Sequence, residues 1–132
     1  IIKGGAVMRL VKFWHTADTS FLGLSAARIS GSGIGIGLQA KGTAVIHHKS
    51  RLPHNNLELF SNAPITKLSH YFQLGSNSAE YAAGNWPEPI LVPNKGEALG
   101  ARFHAKVALI FAIETGLTKV EQKPQVIEVE FL

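Results

Sequence analysis

The sequence predicts an α/β fold, three layers (α/β/α) around a mixed sheet that lacks its first strand and helix. Three observations carry that expectation. Stretches with apolar residues at every second position alternate with a stretch whose apolar residues recur at helical spacing. The 132 residues suffice to bury one core and not two, so residues 1–132 read as a single domain. The chain opens Ile1-Ile2-Lys3-Gly4-Gly5, which reads as the end of one element turning into a strand. It has no initiator methionine and none of the regions of a secretion signal, so the domain is expected to be N-terminally incomplete.

Residues 6–14 alternate, with Val7, Val11 and Phe13 on one side and Met8 and Leu10 on the other. Apolar residues on both sides predict an interior strand covered on both faces. The polar turn at residues 15–20 offers Asp18, Thr19 or Ser20 as a cap for a short helix over 21–29, whose alanines and leucines favour that state. Residues 30–37 read Ser-Gly-Ser-Gly-Ile-Gly-Ile-Gly. Glycine at alternate positions cannot hold a helix, but it can run as a strand whose bare face admits another backbone or a ligand. Residues 34–38 and 43–47 are expected to pair as a hairpin around Gln39-Ala40-Lys41-Gly42.

Residues 50–64 read as a loop from their proline and asparagine content. Over 66–83 the spacing predicts the clearest helix, with Leu68, Tyr71, Phe72, Gly75, Ala79 and Ala82 as its apolar stripe, Thr66 as N-cap and Gly84-Asn85 as stop. Trp86-Pro87-Glu88-Pro89 starts a long connection. Residues 107–113, Val-Ala-Leu-Ile-Phe-Ala-Ile, read as a buried strand, and 125–131 as an edge strand with Glu128 and Glu130 on its wet face.

Charge and composition exclude several functions. Thirteen basic residues against nine acidic give +4, but the bases are dispersed without interleaved aromatics, which argues against nucleic acid. No run approaches the ~20 apolar residues of a membrane span. With no cysteine, disulfide frameworks and thiolate chemistry drop out, which is compatible with a cytoplasmic protein. The glycine run fits neither a phosphate-binding loop, which needs a lysine after its last glycine, nor a dinucleotide fingerprint, where Leu38 stands in place of the third glycine. His47 and His48 point to opposite faces of a strand and make a poor metal pair, and no base is identifiable for Ser30 or Ser32 as a nucleophile. No catalytic residue and no metal ligand is expected in this chain.

The block over residues 29–64, Ile-Ser-Gly-Ser-Gly, the Ile/Gly strand, Gln-Ala-Lys-Gly-Thr, Val-Ile-His, Asn-Leu-Glu-Leu-Phe and Ala-Pro, resembles the medium subunit of adenosylcobalamin-dependent diol and glycerol dehydratases. His15-Thr16-Ala17-Asp18 upstream and Ala79-Glu80-Tyr81-Ala82 downstream fit the same pattern. The resemblance implies a non-catalytic subunit of a hydro-lyase that also contains a large and a small subunit, in the cytoplasm or in a bacterial microcompartment. It implies adenosylcobalamin held base-on between this subunit and the large one. None of the six histidines sits in the Asp-x-His-x-x-Gly motif of base-off proteins.

By matching positions, the resemblance implies Lys41 as partner of the nucleotide-loop phosphate, Asp18 as acceptor from corrin amides, and Ser30, Gly31 and Ser32 at the cofactor edge. Arg102-Phe103 resembles a family basic–aromatic pair, although the loop before it differs in length. A first strand and helix that the family carries upstream are missing from the sequence. The alternative is the small subunit of the dehydratase-reactivating chaperone, which shares the fold and exchanges with the medium subunit; the 30–43 block resembles it only faintly.

Overall fold

Residues 1–92 and 96–130 are described by the structure, a computed structural model, the side chains of 96–101 excepted. Asp18 starts the first helix, α1 (Thr19–Ile29), its Oδ1 accepting the Phe21 N–H at 3.1 Å. That bond satisfies one of the orphan donors of the first turn. The chain then turns back into β2 (Ile34–Leu38), which pairs antiparallel with β3 (Ala44–His48) from Ile34↔His48 to Leu38↔Ala44. The hairpin expected from the turn residues is present. Gly42 takes φ 94°, which an L side chain rarely adopts, and donates its N–H to the Gln39 carbonyl at 2.9 Å.

A third strand, β4 (Glu58–Phe60), pairs with β3 through Ala44↔Phe60 and Ile46↔Glu58, giving the order β2-β3-β4. It lies inside residues 50–64, which the sequence presented as loop throughout. The proline and asparagine signals are genuine, but Leu57, Leu59 and Phe60 suffice for a three-residue strand beside them.

Helices flank this sheet on its two faces. On one, α1 lies so close to β2 that a methyl group at Gly35 would strike the backbone of Ala27 and Gly23, and one at Gly37 that of Thr19 and Gly23. The bare glycine face is therefore filled by helix backbone. On the other, Ala44, Ile46 and Phe60 form the core with Leu74 of α2 (Leu68–Ala82), while Ile34, Ile36, Tyr71, Tyr81, Ile90 and Val92 pack around them. Helices and sheet thus combine as the α/β class requires, and every strand pairing among the described residues is antiparallel.

Helix α2 ends where expected, with Gly84 at φ 86° and the Asn85 N–H on the Glu80 carbonyl at 2.9 Å. Its start and its buried face differ from the expectation. Lys67 is the N-cap residue, its N–H held by His70 Nδ1 at 3.0 Å, while the Thr66 hydroxyl donates to the Ser61 carbonyl at 2.7 Å. Leu68 and Phe72 are 86% and 65% exposed, and the buried residues are Leu74, Ser78 and Ala79. Ser78 can turn inward because its hydroxyl donates to the Leu74 carbonyl one turn back, at 2.8 Å.

Residues 107–113 are not a strand. They lie within α3 (Gly96–Gly116), and Leu109 and Ile113 are 61% and 56% exposed. Alanines at 105, 108 and 112 supply the helix propensity that the apolar run obscured.

The expected interior strand over 6–14 is also corrected. Only β1 (Leu10–Lys12) forms, and it pairs with β5 (Gln125–Ile127) in a separate two-stranded sheet with no fully buried strand residue; Val7 is 99% exposed. Of the edge strand anticipated over 125–131 only the three residues of β5 form, and neither face is covered: Ile127 and Val129 are 38% and 41% exposed, and Glu128 and Glu130 beyond the strand are exposed too. Phe131 lies outside the described residues.

Candidate functional site

The β2–β3 turn is held by four separate segments. The buried Gln39 side chain donates to the Ala17 carbonyl just ahead of α1. The Tyr71 hydroxyl of α2 donates to the Gly42 carbonyl at 2.5 Å, Ala63 N–H to the Lys41 carbonyl at 3.0 Å, and Ala40 N–H to the Glu114 carboxylate of α3 at 2.6 Å. Burial raises the Tyr71 pKa, which keeps its phenol a donor. Within Gln39-Ala40-Lys41-Gly42-Thr43, the glutamine anchors, the glycine turns, and Thr43 closes the hairpin by accepting the Gln39 N–H at 3.0 Å. The Lys41 side chain alone has no such task; its Nζ lies 5.2 Å over the Phe111 ring of α3. A half-buried cation at a rigid turn, facing an aromatic ring rather than a carboxylate, is suited to an incoming anion.

Asp18 sits at the same end of the sheet, because Gln39 ties the turn to Ala17 beside it. One of its oxygens is committed to the helix cap. The turn carrying Ser30, Gly31 and Ser32 lies at the opposite end, before β2 begins. Five strand residues separate the two turns, a span of roughly 16 Å. There the hydroxyls of Ser30 and Ser32 are 3.0 Å apart, Ser32 Oγ accepts the Ile34 N–H at 3.3 Å, and a methyl on Gly31 would meet nothing within 4 Å. Two cations that the sequence did not single out border this turn. Lys49 lays its alkyl chain over Gly33, and the Arg9 guanidinium donates to the Ile29 carbonyl at the end of α1.

Ser30, Gly31 and Ser32 also line an apolar groove of about 1380 Å³ that runs past Trp14, Ile29 and Ala79. Arg102 and Phe103 lie on α3, the guanidinium 5.8 Å from the ring. Phe103 is eight residues ahead of Phe111, about 12 Å along the helix. The structure thus brings Asp18 and Lys41 to one end of the sheet, puts Ser30–Ser32 at the other, and leaves Arg102–Phe103 apart from both.

That spread decides what kind of ligand fits. No small molecule touches both turns of β2, whereas a large one with a phosphodiester and a hydrogen-bonding rim meets a lysine at one end and hydroxyls with open space at the other. The glycine strand between the turns takes no part, since α1 covers it.

A buried carboxylate forms a second polar centre, which the sequence did not reveal as one. Glu58 is 7% exposed; Asn77 Nδ2 and the Tyr81 hydroxyl donate to its Oε1 at 2.8 and 3.2 Å, and Ile90 N–H to its Oε2 at 3.0 Å. Asn77 also donates to the Glu88 carbonyl at 2.9 Å, so the cluster fastens the segment after α2 onto the sheet. Burial, then the charge and hydrogen bond of Glu58, raise the Tyr81 pKa against a smaller lowering by Arg51. The available signal was an acid flanked by Leu57 and Leu59 in a strand, at the register position of the buried Ile46. His47, fully buried, is a third such group, with Nδ1 2.9 Å from the His48 carbonyl and Nε2 3.1 and 3.0 Å from those of Leu52 and Pro53. It fastens the loop between β3 and β4.

A family model described as dehydratase medium subunit matches residues 3–88, close to two thirds of the 132. The match takes in both turns of β2, Glu58 with Asn77 and Tyr81, and all of α2, and it ends before Ile90 and α3.

Proposed function

The chain belongs to the dehydratase medium-subunit family, and is thus a subunit of a multi-subunit dehydratase; from that premise we propose that it clamps the nucleotide side of adenosylcobalamin against a catalytic large subunit in a propane-1,2-diol or glycerol dehydratase. The observation that carries this reading is the Lys41 ammonium, presented by a turn whose other members are all engaged in holding it.

In this reading Lys41 meets the phosphodiester of the nucleotide loop as a point charge. Asp18 accepts from a side-chain amide at the same end. Ser30, Gly31 and Ser32 contact the opposite rim, and Arg102 and Phe103 extend the contact along α3. When bound, the cofactor would supply the radical chemistry. This chain's residues bind and orient it, exclude water from its nucleotide side, and take no proton or hydrogen from substrate. Large and small dehydratase subunits are the expected partners, and the reactivating factor a transient one. Among the described residues no helix is long and apolar enough to cross a membrane.

Lys41→Ala tests the site. In complex with the other subunits it should weaken cobalamin retention by about 1.5–3 kcal/mol, the worth of a charge-assisted bond. Its thermal unfolding should match that of the unaltered chain, since the turn is held by backbone and by other side chains. Unchanged cobalamin affinity would remove Lys41 from the site.

A further inference from the structure

Two side chains of α3, three residues apart, both serve the turn that carries Lys41. Glu114 accepts the Ala40 N–H at 2.6 Å, and the Lys41 Nζ lies 5.2 Å over the Phe111 ring. Residues at that spacing share one face of a helix, whereas on a strand they would point to opposite faces. The two contacts differ in what they hold. Glu114, like Gln39, Tyr71 and the Ala63 N–H, holds the turn itself. Phe111 meets the lysine side chain that the turn presents. Both α3 residues lie beyond residue 88, where the family match ends, so a turn inside the match is served from outside it.

We propose that Phe111 is a positioning residue of the cofactor site, its ring confining the Lys41 ammonium to the place where it meets the phosphodiester. The inference deepens the proposed function and rests on it, since Lys41 is there the partner of the phosphate. A lysine ends a flexible four-carbon stem, and fixing that stem when a ligand arrives costs entropy. The face of an aromatic ring attracts a cation, so part of the ordering is done before the ligand binds. The ring occupies one side of the ammonium, and the group has three donors, so N–H groups remain for phosphate oxygens. A carboxylate in the same place would also hold the lysine, but it would offset the charge and repel the phosphate. A ring orients the cation and leaves its charge available. Phe111 is 41% exposed and belongs to no buried core, so its replacement should leave the fold standing.

The test is retention of adenosylcobalamin by the complex with the large and small subunits, for Phe111→Leu, Phe111→Tyr, Lys41→Ala and the double variant Lys41→Ala/Phe111→Leu. Leucine keeps apolar bulk without a ring, and tyrosine keeps the ring. Phe111→Leu should weaken retention about two- to fivefold, the worth of one exposed cation–π contact, and Phe111→Tyr should retain the cofactor as the unaltered chain does. In the Lys41→Ala background Phe111→Leu should have no further effect, because the ring acts through the lysine. Melting temperatures of the variant complexes should be unchanged; if Phe111→Leu melts lower, Phe111→Met provides the same comparison with a different ringless side chain. An equal loss from Phe111→Leu with and without the lysine gives the ring a purely structural role and overturns the proposal. Tighter retention in Phe111→Leu also overturns it, since the ring would then be a resting place that the lysine must leave. So does a loss in Phe111→Tyr as large as that in Phe111→Leu. Unchanged retention in Phe111→Leu, with retention weakened in Lys41→Ala, removes Phe111 alone and leaves the proposed function standing. Unchanged retention in Lys41→Ala defeats the reading of the site and the inference with it.

Discussion

Glu58 shows how much one side chain contributes here. Its carboxylate is buried against the sheet, yet each oxygen has donors, and those donors come from α2 and from the chain beyond it. The effect reaches Tyr81, whose folded pKa lies above its unfolded value. The neutral phenol is the form that folding favours, so its contribution to stability is complete below the unfolded value of ~10 and is lost as pH rises through the folded one. Glu58→Gln removes the charge and leaves burial, which is the larger cause. With only two tyrosines in the chain, alkaline titration of tyrosinate absorbance should resolve the effect. In the variant one midpoint should move down while remaining above the ordinary tyrosine value, and the other, from Tyr71, should stay; two unmoved midpoints would contradict the Glu58–Tyr81 coupling. In the sequence Glu58 looked like any acid in a polar loop, because burial is a property of β4 and its partners. Lys41 was legible only through the resemblance of the Gln-Ala-Lys-Gly-Thr block to the dehydratase medium subunit; that its neighbours hold the turn became visible with the fold.

Among the elements, the contact of α1 with β2 is the closest. Gly35 and Gly37 admit helix backbone, which cannot shift as a side chain can, so Gly37→Ala should destabilise by about 1–3 kcal/mol. Gly31→Ala, which adds its methyl to open space, should stay within about 0.5 kcal/mol. Denaturant unfolding of the two variants measures the difference, and equal midpoints would mean that α1 does not sit where the structure puts it. The hairpin could be foreseen because its signals are local: alternation on both arms and a glycine needing positive φ. α3 could not, since seven apolar residues in a row suit a buried strand and a helix equally, and only the alanines before and among them distinguish the two. On α2 the spacing allowed two overlapping stripes. Leu68 and Phe72 won on hydrophobicity, whereas the sheet selected Leu74, Ser78 and Ala79, with Ser78 made compatible by its bond to Leu74.

For the whole molecule, the predicted site residues lie at two ends of one strand and on a helix beyond, an arrangement that only a large ligand or an assembly unites. The class of partner was suggested by the resemblance to the dehydratase medium subunit; the separation of the site residues by the length of β2 was invisible until the hairpin was folded against α1. A chain with Val7 and Leu109 exposed and an apolar groove open beside Ser30–Ser32 is expected to work in an assembly. The most direct measurement is retention of adenosylcobalamin by large and small subunits purified with and without this chain, read as corrinoid absorbance migrating with protein of known mass. The account predicts that corrinoid is retained when the chain is present, at the mass of the full assembly, and is lost when it is absent. Retention that is the same without it, or a stable monomer that ignores the large subunit, would contradict the account.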